Sequence, residues 1–408
     1  MLVKWTSITL GSLLVLYCSG ALVAFTWFSD DPEIEQFLCR FYLCDNEQLL
    51  DWAYEHLWEG DPESLEWAVS AYQESLRRDP ASPFRWCDLG EALGRGGDLP
   101  RAEYCFERAV DLGPNSPPVL LRAAYFHFGA GQQSRALQLT ARTLTLVRRY
   151  DAVIFALYSR LGIGIADVLR HGMPKDLEVA QPYFAYLFQA GDAAELAQAW
   201  AWMSERELTG ASSMAAYVDF LLAARHYDLA KQTLADYAGK RGEAWQSASN
   251  PVFNPGFEHE PLGAALDWTI HRAGEFETAR DFEVAATGSS SLYVRFDGQE
   301  NVQYQHLVQK IVVQPGRYRF GVYIRTEGIT TDQGLGFQII AADGSSRLNV
   351  ETEALAGTKE WTLVERNFIV PPRTRLLEIR AVRRQSRKFD SKIAGTVWID
   401  DVSLVPRP

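Results

Sequence analysis

A period of 34 residues in the N-terminal half of the chain constrains its fold more than any other feature. A small residue recurs at this spacing at three positions: Ala68, Ala102 and Ala136. A large apolar residue recurs in the same register: Trp52, Trp86 and Leu120. A unit of this length cannot bury its apolar face alone, so neighbouring units must stack and share one core. This half of the chain is therefore predicted to be a stack of similar units.

The unit at residues 82–114 has two apolar stripes separated by the break GRGGDLP. Apolar residues three and four apart in each stripe indicate two amphipathic helices joined by a turn. The segment resembles a tetratricopeptide repeat at eight positions: Trp86, Leu89, Gly90, Leu93, Ala102, Phe106, Ala109 and Pro114. The resemblance implies an all-α solenoid, which we place at residues 29–246, with about five or six helix pairs from residue 46 onward.

Solenoids of this type usually hold a peptide or a partner protein on the concave face formed by the first helices. The resemblance therefore implies a protein partner. The alternative is a spacer that holds the terminal domain at a distance. In either case we expect Trp52, Trp86 and Phe106 to be core residues.

Residues 5–28 contain no charged side chain. A helix of this length is about 36 Å long, enough to cross a hydrocarbon core of about 30 Å. Lys4 precedes the segment and Asp30 and Asp31 follow it, which favours a cytoplasmic tip at residues 1–4. We therefore expect a transmembrane helix that anchors a periplasmic chain in a bacterial inner membrane. A cleaved signal peptide and a lipid anchor at Cys18 are the alternatives.

Charge is distributed unevenly along the chain, whose formal net charge is −12. Acidic residues number 32 and basic residues 21 before residue 250, and the remainder is nearly neutral. An acidic N-terminal region repels phosphate groups, so nucleic acid and anionic lipid headgroups are not expected as partners.

Two of the five cysteines, Cys39 and Cys44, lie close together just after the apolar segment. In an oxidising compartment they could close a small disulfide loop. The sequence has no CxxC pair and no cysteine–histidine cluster, so a zinc site has no support.

The composition changes near residue 247, where proline-rich sequence replaces helical periodicity. Residues 247–253 are predicted to be a linker and residues 254–408 a second, all-β domain. Its predicted strands share short apolar or alternating runs between turn residues: 291–296, 302–313, 318–325, 335–341, 361–370, 376–382 and 396–405. About seven to nine short strands favour a two-sheet sandwich, most economically a jelly roll.

Four segments of this domain, in their order and spacing, resemble carbohydrate-binding jelly-roll modules of bacterial glycanases: NPGFE, PGRYRFGVYIR, GTKEWTLVERNFIVPP and GTVWIDDVSLV. The resemblance implies a polysaccharide ligand. It also implies a structural calcium ion bound by Glu258 and by Asp400 or Asp401, because calcium prefers hard oxygen ligands. In the alternative interpretation these acids cap strands and satisfy backbone amides.

Sugar recognition needs flat aromatic faces with planar polar groups at their edges. Tyr304 and His306 are predicted on one strand of a hairpin, and Tyr323 and Arg325 on the other. Their i, i+2 spacing places each pair on one face. These four residues form the predicted carbohydrate-binding group. Two tryptophans are expected in the core instead: Trp268 and Trp398.

The sequence contains no glycine-rich phosphate loop, no GxSxG motif and no HExxH motif. A carboxylate pair for glycoside hydrolysis needs no linear signature. We predict a non-catalytic adaptor whose solenoid holds a protein and whose sandwich holds a polysaccharide. The architecture resembles that of bacterial proteins associated with exopolysaccharide export. Two alternatives stay open: an assembly factor whose sandwich makes protein contacts only, and a cryptic glycoside hydrolase.

Overall fold

The computed structural model describes residues 39–41, 44–59, 61–190, 192–242, 250–271 and 273–407. The chain divides into two compact units, with the boundary between Leu208 and Thr209.

Helices form the first unit within the described ranges. Their bounds are α1 (Asn46–Glu59), α2 (Pro62–Arg78), α3 (Pro83–Arg95), α4 (Leu99–Leu112), α5 (Pro117–Gly129), α6 (Gln133–Leu146), α7 (Asp151–Arg160), α8 (Ile165–Asp167), α9 (Leu177–Ala190) and α10 (Ala193–Glu205). A single π-helical turn, Val168–Gly172, continues α8. Aspartates cap several N-termini; Asp61, for example, accepts a hydrogen bond of 2.9 Å from the backbone N–H of Ser64.

Successive helices pack in pairs, α1 with α2, α3 with α4 and α5 with α6. The α3–α4 pair shows why the repeat needs a small residue at position 90. A Cβ atom added to Gly90 would lie only 3.0 Å from the ring of Phe106, which is itself buried. Phe106 in turn stacks on Phe126 of α5, with ring centroids 4.7 Å apart. One aromatic ring therefore joins two neighbouring pairs.

Most of the repeat-defining side chains are buried between these helices: Leu89, Leu93, Ala102, Phe106 and Ala109. Trp52 is also buried, whereas Trp86 is only partly buried. The indole N–H of Trp86 donates to the backbone oxygen of Pro80 over 3.0 Å. Pro114 lies in the turn that follows α4.

The transmembrane helix predicted over residues 5–28 lies outside the described residues. Within the ranges given above, no helix combines the length and the apolar character needed to cross a membrane. On this finding, the predicted fold class is corrected to a helical solenoid followed by a β-sandwich. The predicted single-pass inner-membrane localisation is corrected with it and is not carried further.

The second unit begins with two helices, α11 (Ala211–Ala223) and α12 (Tyr227–Lys240), and continues as strands. The strands are β1 (Thr269–Ile270), β2 (Phe276–Asp281), β3 (Ser291–Asp297), β4 (Leu307–Val312), β5 (Gly316–Ile329), β6 (Gly336–Ala341), β7 (Asn349–Glu351), β8 (Gly357–Val370), β9 (Leu376–Val382) and β10 (Ala394–Arg407). They form two five-stranded antiparallel sheets. Sheet I has the order β1-β4-β9-β6-β7, and sheet II has the order β2-β3-β10-β5-β8.

The two helices contact the strand region inside this unit, upstream of the predicted linker at residues 247–253. A carboxylate oxygen of Asp219 on α11 accepts a hydrogen bond of 3.2 Å from the backbone N–H of Ala265. Arg375 forms an ion pair of 3.2 Å with Asp228 on α12. These contacts group the last helix pair with the sandwich.

Alternating side chains of the two sheets fill one apolar core between them. Trp268 is fully buried there, as predicted, and its indole N–H donates to the backbone oxygen of Asn254 over 3.0 Å. Trp398 is also buried, in line with its prediction, but on the outer side of sheet II rather than between the two sheets. Its neighbours Val397 and Ile399 belong to the core and Trp398 does not, because successive side chains of a strand point to opposite faces.

Candidate functional site

The outer surface of sheet II carries aromatic and charged side chains in rows. On β3, Leu292, Val294 and Phe296 point into the core, so Tyr293 and Arg295 point outward. The same alternation on β5 turns Val322 and Ile324 inward, and turns two other residues outward: Tyr323 and Arg325.

The strand register aligns these outward residues. Tyr293 on β3 is paired with Trp398 on β10, and Trp398 is paired with Arg325 on β5. Two residues further along these strands, and so on the same face, Tyr323 is paired with Asp400. We define the aromatic face as the following five residues: Tyr293, Arg295, Tyr323, Arg325 and Trp398.

Hydrogen bonds hold the aromatic face in position at β2 and β3. The Tyr293 hydroxyl donates to Glu277 over 2.6 Å, and Arg295 donates to the other oxygen of the same carboxylate over 3.1 Å. The guanidinium carbon of Arg295 lies 5.0 Å from the centre of the Tyr293 ring. The hydrogen bond to Glu277 is the main reason that the pKa of Tyr293 is raised.

Trp398 forms the floor of the aromatic face, with 8% of its surface exposed. Its indole N–H donates to Asp281 over 2.8 Å, and the guanidinium carbon of Arg325 lies 5.1 Å from its ring centre. Burial opposes ionisation of Asp281, but hydrogen bonds from Trp398 and from nearby backbone amides outweigh it, so the pKa of Asp281 is lowered. The carboxylate therefore stays charged beside the indole.

A cavity of about 550 Å³ adjoins the aromatic face at the β2–β3 edge of sheet II. Glu277 and Arg295 belong to its lining, so the cavity and the face share charged groups. The rest of the lining comes from the same edge: Ala273, Gly274, Phe276, Thr278, Ala279 and Asp297. A ligand lying on the face can therefore extend into this cavity.

The predicted carbohydrate-binding group is only half brought together. The Pro315-Gly316 turn does not make a hairpin, because β4 belongs to sheet I and β5 to sheet II. Tyr304 and His306, just before β4, are therefore separated from Tyr323 and Arg325. Tyr304 is fully buried and its ring centre lies 4.8 Å from that of Phe276, so it has no face to offer a ligand.

His306 lies next to this buried cluster, with its ring centre 5.4 Å from that of Tyr304. Burial and the neighbouring His271 lower the pKa of His306. The predicted group also left out two residues of the aromatic face, Tyr293 and Trp398. The alternation of Trp398 with Val397 and Ile399 is a signal that could have placed Trp398 outside the core.

Glu258 and Asp400 hold the loop between β2 and β3. Glu258 accepts hydrogen bonds from the backbone N–H of Ser289 over 2.8 Å and from its hydroxyl over 2.5 Å. Asp400 accepts from the backbone N–H groups of Ala286 over 2.7 Å and Thr287 over 2.9 Å. Burial raises the pKa of Asp400, and these backbone amides oppose that rise.

The two carboxylates converge beside Gly256. A Cβ atom added there would lie 3.2 Å from Asp400 Oδ1 and 3.7 Å from Glu258 Oε1. Asp401 follows at a bulge in β10, with a φ of +47°. Both carboxylates satisfy backbone amides of the β2–β3 loop, as the alternative interpretation of these acids describes. Among the described residues, no group of three or more His, Cys, Asp or Glu could hold a metal ion. Calcium stays a prediction.

A second cavity, of about 480 Å³, lies among α3, α4 and α5 of the helical unit. Arg122 on α5 lines it and donates to Glu91 over 2.6 Å and to Asp88 over 2.7 Å. Tyr125 adds an exposed aromatic ring to the lining. Arg95, also in the lining, lies 3.6 Å from the ring centre of exposed Trp58 on α1. The groove therefore presents aromatic rings beside charged groups.

Cys39 and Cys44, at the start of the described residues, are joined by a disulfide with a Cα–Cα distance of 4.9 Å. Both are buried against α1 and its neighbours. Cys87 and Cys105 are free, buried thiols, and burial raises the pKa of Cys87 to about 12.

No protein-family model matches the chain. The sequence is similar to that of the protein CTR9 homolog of Arabidopsis thaliana, with 32% identity over 98 residues. That stretch is 24% of this chain, and the chain spans 8% of the length of this relative.

The C-terminal sandwich resembles solved carbohydrate-binding modules. One is TmCBM61 in complex with beta-1,4-galactotriose, with 21% identity, a TM-score of 0.28, and coverage of 39% of this chain and 99% of the module. Another is a xylan-binding domain from family 22, with 16% identity, a TM-score of 0.29, and coverage of 39% and 97%. At these identities the likeness is one of fold alone.

Proposed function

We propose that this chain is a non-catalytic binding protein whose sandwich holds a polysaccharide on the aromatic face of sheet II. One observation carries the proposal. Tyr293, Arg325 and Tyr323 lie partly exposed on the outer side of sheet II, around the buried ring of Trp398 on the strand between them. Five antiparallel strands give this row a firm base, and the row runs across the strands.

The chemistry of the face suits a sugar chain. Aromatic rings pack against the C–H surfaces of pyranose rings, and charged planar groups bond to hydroxyls at the ring edges. Arg325 and Arg295 supply donors, whereas Glu277 supplies acceptors. Hydrogen bonds from Tyr293 and Arg295 to Glu277 hold these side chains in place, so little side-chain order has to be created on binding.

For the helical unit, we propose a tetratricopeptide-type solenoid that binds a protein segment in the groove among α3, α4 and α5. The exposed ring of Tyr125 in the groove and the contact of Arg95, also in the lining, with exposed Trp58 support this, since aromatic and arginine side chains carry much of the binding energy at protein interfaces. Together, the two units would make an adaptor between a protein and a polysaccharide. A role in exopolysaccharide assembly belongs to the same proposal.

A polysaccharide array probed with the full chain tests the sandwich proposal. We expect binding to at least one polysaccharide, and loss of that binding in Tyr323→Ala but not in Arg347→Ala, an exposed control between β6 and β7. Protein capture without any polysaccharide binding would instead favour the assembly-factor alternative. Release of reducing sugar from a bound polysaccharide would revive the glycoside hydrolase alternative.

A further inference from the structure

A third cavity, of about 430 Å³, lies in the helical unit between the π-helical turn after α8 and helix α10. Its lining combines apolar and basic side chains: Ala166, Leu169, Arg170, Met173, Lys175, Gln198, Ala201, Trp202, Glu205 and Arg206. This cavity is separate from the groove among α3, α4 and α5, with which it shares no lining residue.

Buried contacts fix the backbone that carries Arg170 into the cavity. The Tyr158 hydroxyl donates to the backbone oxygen of Gly172 over 3.1 Å and lies 2.7 Å from the Thr140 hydroxyl. A Cβ atom added to Gly172 would lie 2.8 Å from Leu137 Cδ2 and 3.0 Å from the Tyr158 hydroxyl, so a larger residue there would have to displace these side chains. The π-helical turn is therefore packed against α6 and α7, and the exposed side chain of Arg170 projects from it.

The cavity is basic although its surroundings are acidic. Arg170, Lys175 and Arg206 face a single acid in the lining, Glu205, which pairs with Arg206 over 3.2 Å. Arg170 and Lys175 form no ion pair with any described residue. Acidic residues outnumber basic ones by 32 to 21 before residue 250. The two cations without an ion pair therefore make this cavity locally positive in a part of the chain that is negative as a whole.

The floor of the cavity is apolar. Leu169 and Met173 are buried, and Trp202 is half-buried with the Arg206 guanidinium carbon 4.9 Å from its ring centre. Gln198 adds an amide that can bond to hydroxyls. The ligand that matches an apolar floor, an amide and a cationic rim has a ring with an apolar face and a carboxylate.

We propose that this cavity binds one carboxylate-bearing sugar unit, a uronate, with its ring against Trp202 and its carboxylate between Arg170 and Lys175. The volume of the cavity lies within the range of about 300–1,000 Å³ of small-molecule sites. An acidic peptide fits less well, since peptides bind along grooves or sheet edges longer than one such cavity. The proposal is independent of the aromatic face of the sandwich.

Calorimetry on the full chain tests this site with methyl glucuronide as the probe and methyl glucoside and inorganic sulfate as comparisons. We expect the glucuronide to bind at least about tenfold more tightly than the glucoside, and salt to weaken it. Arg170→Ala and Lys175→Ala should each weaken glucuronide binding about tenfold or more. Arg108 is an exposed residue of α4, and Arg108→Ala, which also removes one positive charge, should leave the binding unchanged.

Three results would overturn the proposal: equal affinity for glucuronide and glucoside, sulfate binding as tight as glucuronide binding, or an acidic peptide that outcompetes the sugar. Circular dichroism confirms that each variant is folded. Tyr323→Ala must leave glucuronide binding at the helical cavity intact, so failure of this site and failure of the aromatic face are distinguishable.

Discussion

Helices α3 and α4 approach closely at Gly90 but not at Gly94, which lies on the same helix. Replacement by alanine is therefore predicted to affect stability differently at the two positions. A Cβ atom at Gly90 would meet the Phe106 ring at 3.0 and 3.1 Å and the Cβ of Cys105 at 3.2 Å. At Gly94 the nearest atoms, in Ala102 and Phe126, are 3.8 Å away, which is ordinary van der Waals contact. Gly94→Ala is therefore a matched control for Gly90→Ala.

The magnitude follows from two opposing terms. Alanine is favoured over glycine in a helix by about 0.8–1 kcal/mol, and this gain applies at both positions. Overpacking of a well-packed core costs about 1–3 kcal/mol, and this cost applies at Gly90 alone. The free energy of unfolding should therefore differ by about 1–3 kcal/mol between the two variants, with Gly94→Ala the more stable.

Urea unfolding of the full chain, followed by circular dichroism at 222 nm, measures the helical transition of each variant. We expect Phe106→Leu to be less damaging in the Gly90→Ala background than in the natural chain, because a smaller side chain leaves room for the new methyl group. If Gly90→Ala is stabilised as much as Gly94→Ala, the proposed packing of the repeat is wrong.

Three further predictions concern the sandwich unit. Burial opposes ionisation of Asp343, but hydrogen bonds from the Arg375 amide and from Ser345 outweigh it, so the pKa of Asp343 is lowered. The charged carboxylate therefore stabilises the fold above about pH 4, and this contribution is lost as the pH falls further. In urea titrations, Asp343→Asn should reduce the loss of stability at low pH, and an unchanged loss would contradict this role of Asp343. Replacing Trp398 by Phe removes a donor to Asp281, so NMR titration should show the pKa of Asp281 rising toward its ordinary 3.8, and no rise would contradict the contact. Millimolar calcium should raise the midpoint of thermal unfolding of the natural chain above its value in EDTA, and it should not do so in Glu258→Gln. Equal midpoints of the natural chain with calcium and with EDTA would contradict the predicted calcium site.

The helical unit could be predicted from the sequence because its signal is local. The residues that define a repeat, such as Leu89 and Ala102, recur at fixed spacing inside one helix pair, and each pair packs mainly on its neighbours. The short turns and the small residue at position 90 are local signals as well. The π-helical turn after α8 and the grouping of the last helix pair with the sandwich had no such local signal.

The aromatic face could not be predicted in the same way, because it is assembled from β3, β5 and β10, which are distant in the sequence. Period-2 alternation shows that Tyr304 and His306 share a face but not whether that face is the core. The predicted hairpin failed because a Pro-Gly turn can also carry the chain from one sheet to the other. The alternation of Trp398 with Val397 and Ile399 indicates that Trp398 faces away from the core between the sheets, but not that residues on neighbouring strands bury it on the other side.

Binding of a polysaccharide to the aromatic face is the central claim, and calorimetry with the best polysaccharide from the array tests it most directly. Truncation of a central binding side chain typically costs about 2 kcal/mol or more, so Tyr323→Ala and Arg325→Ala should each weaken binding about thirtyfold. Arg347→Ala, on an exposed loop beside sheet I, should bind as the natural chain does. Unchanged affinity in both face variants, with their fold intact, would contradict the claim.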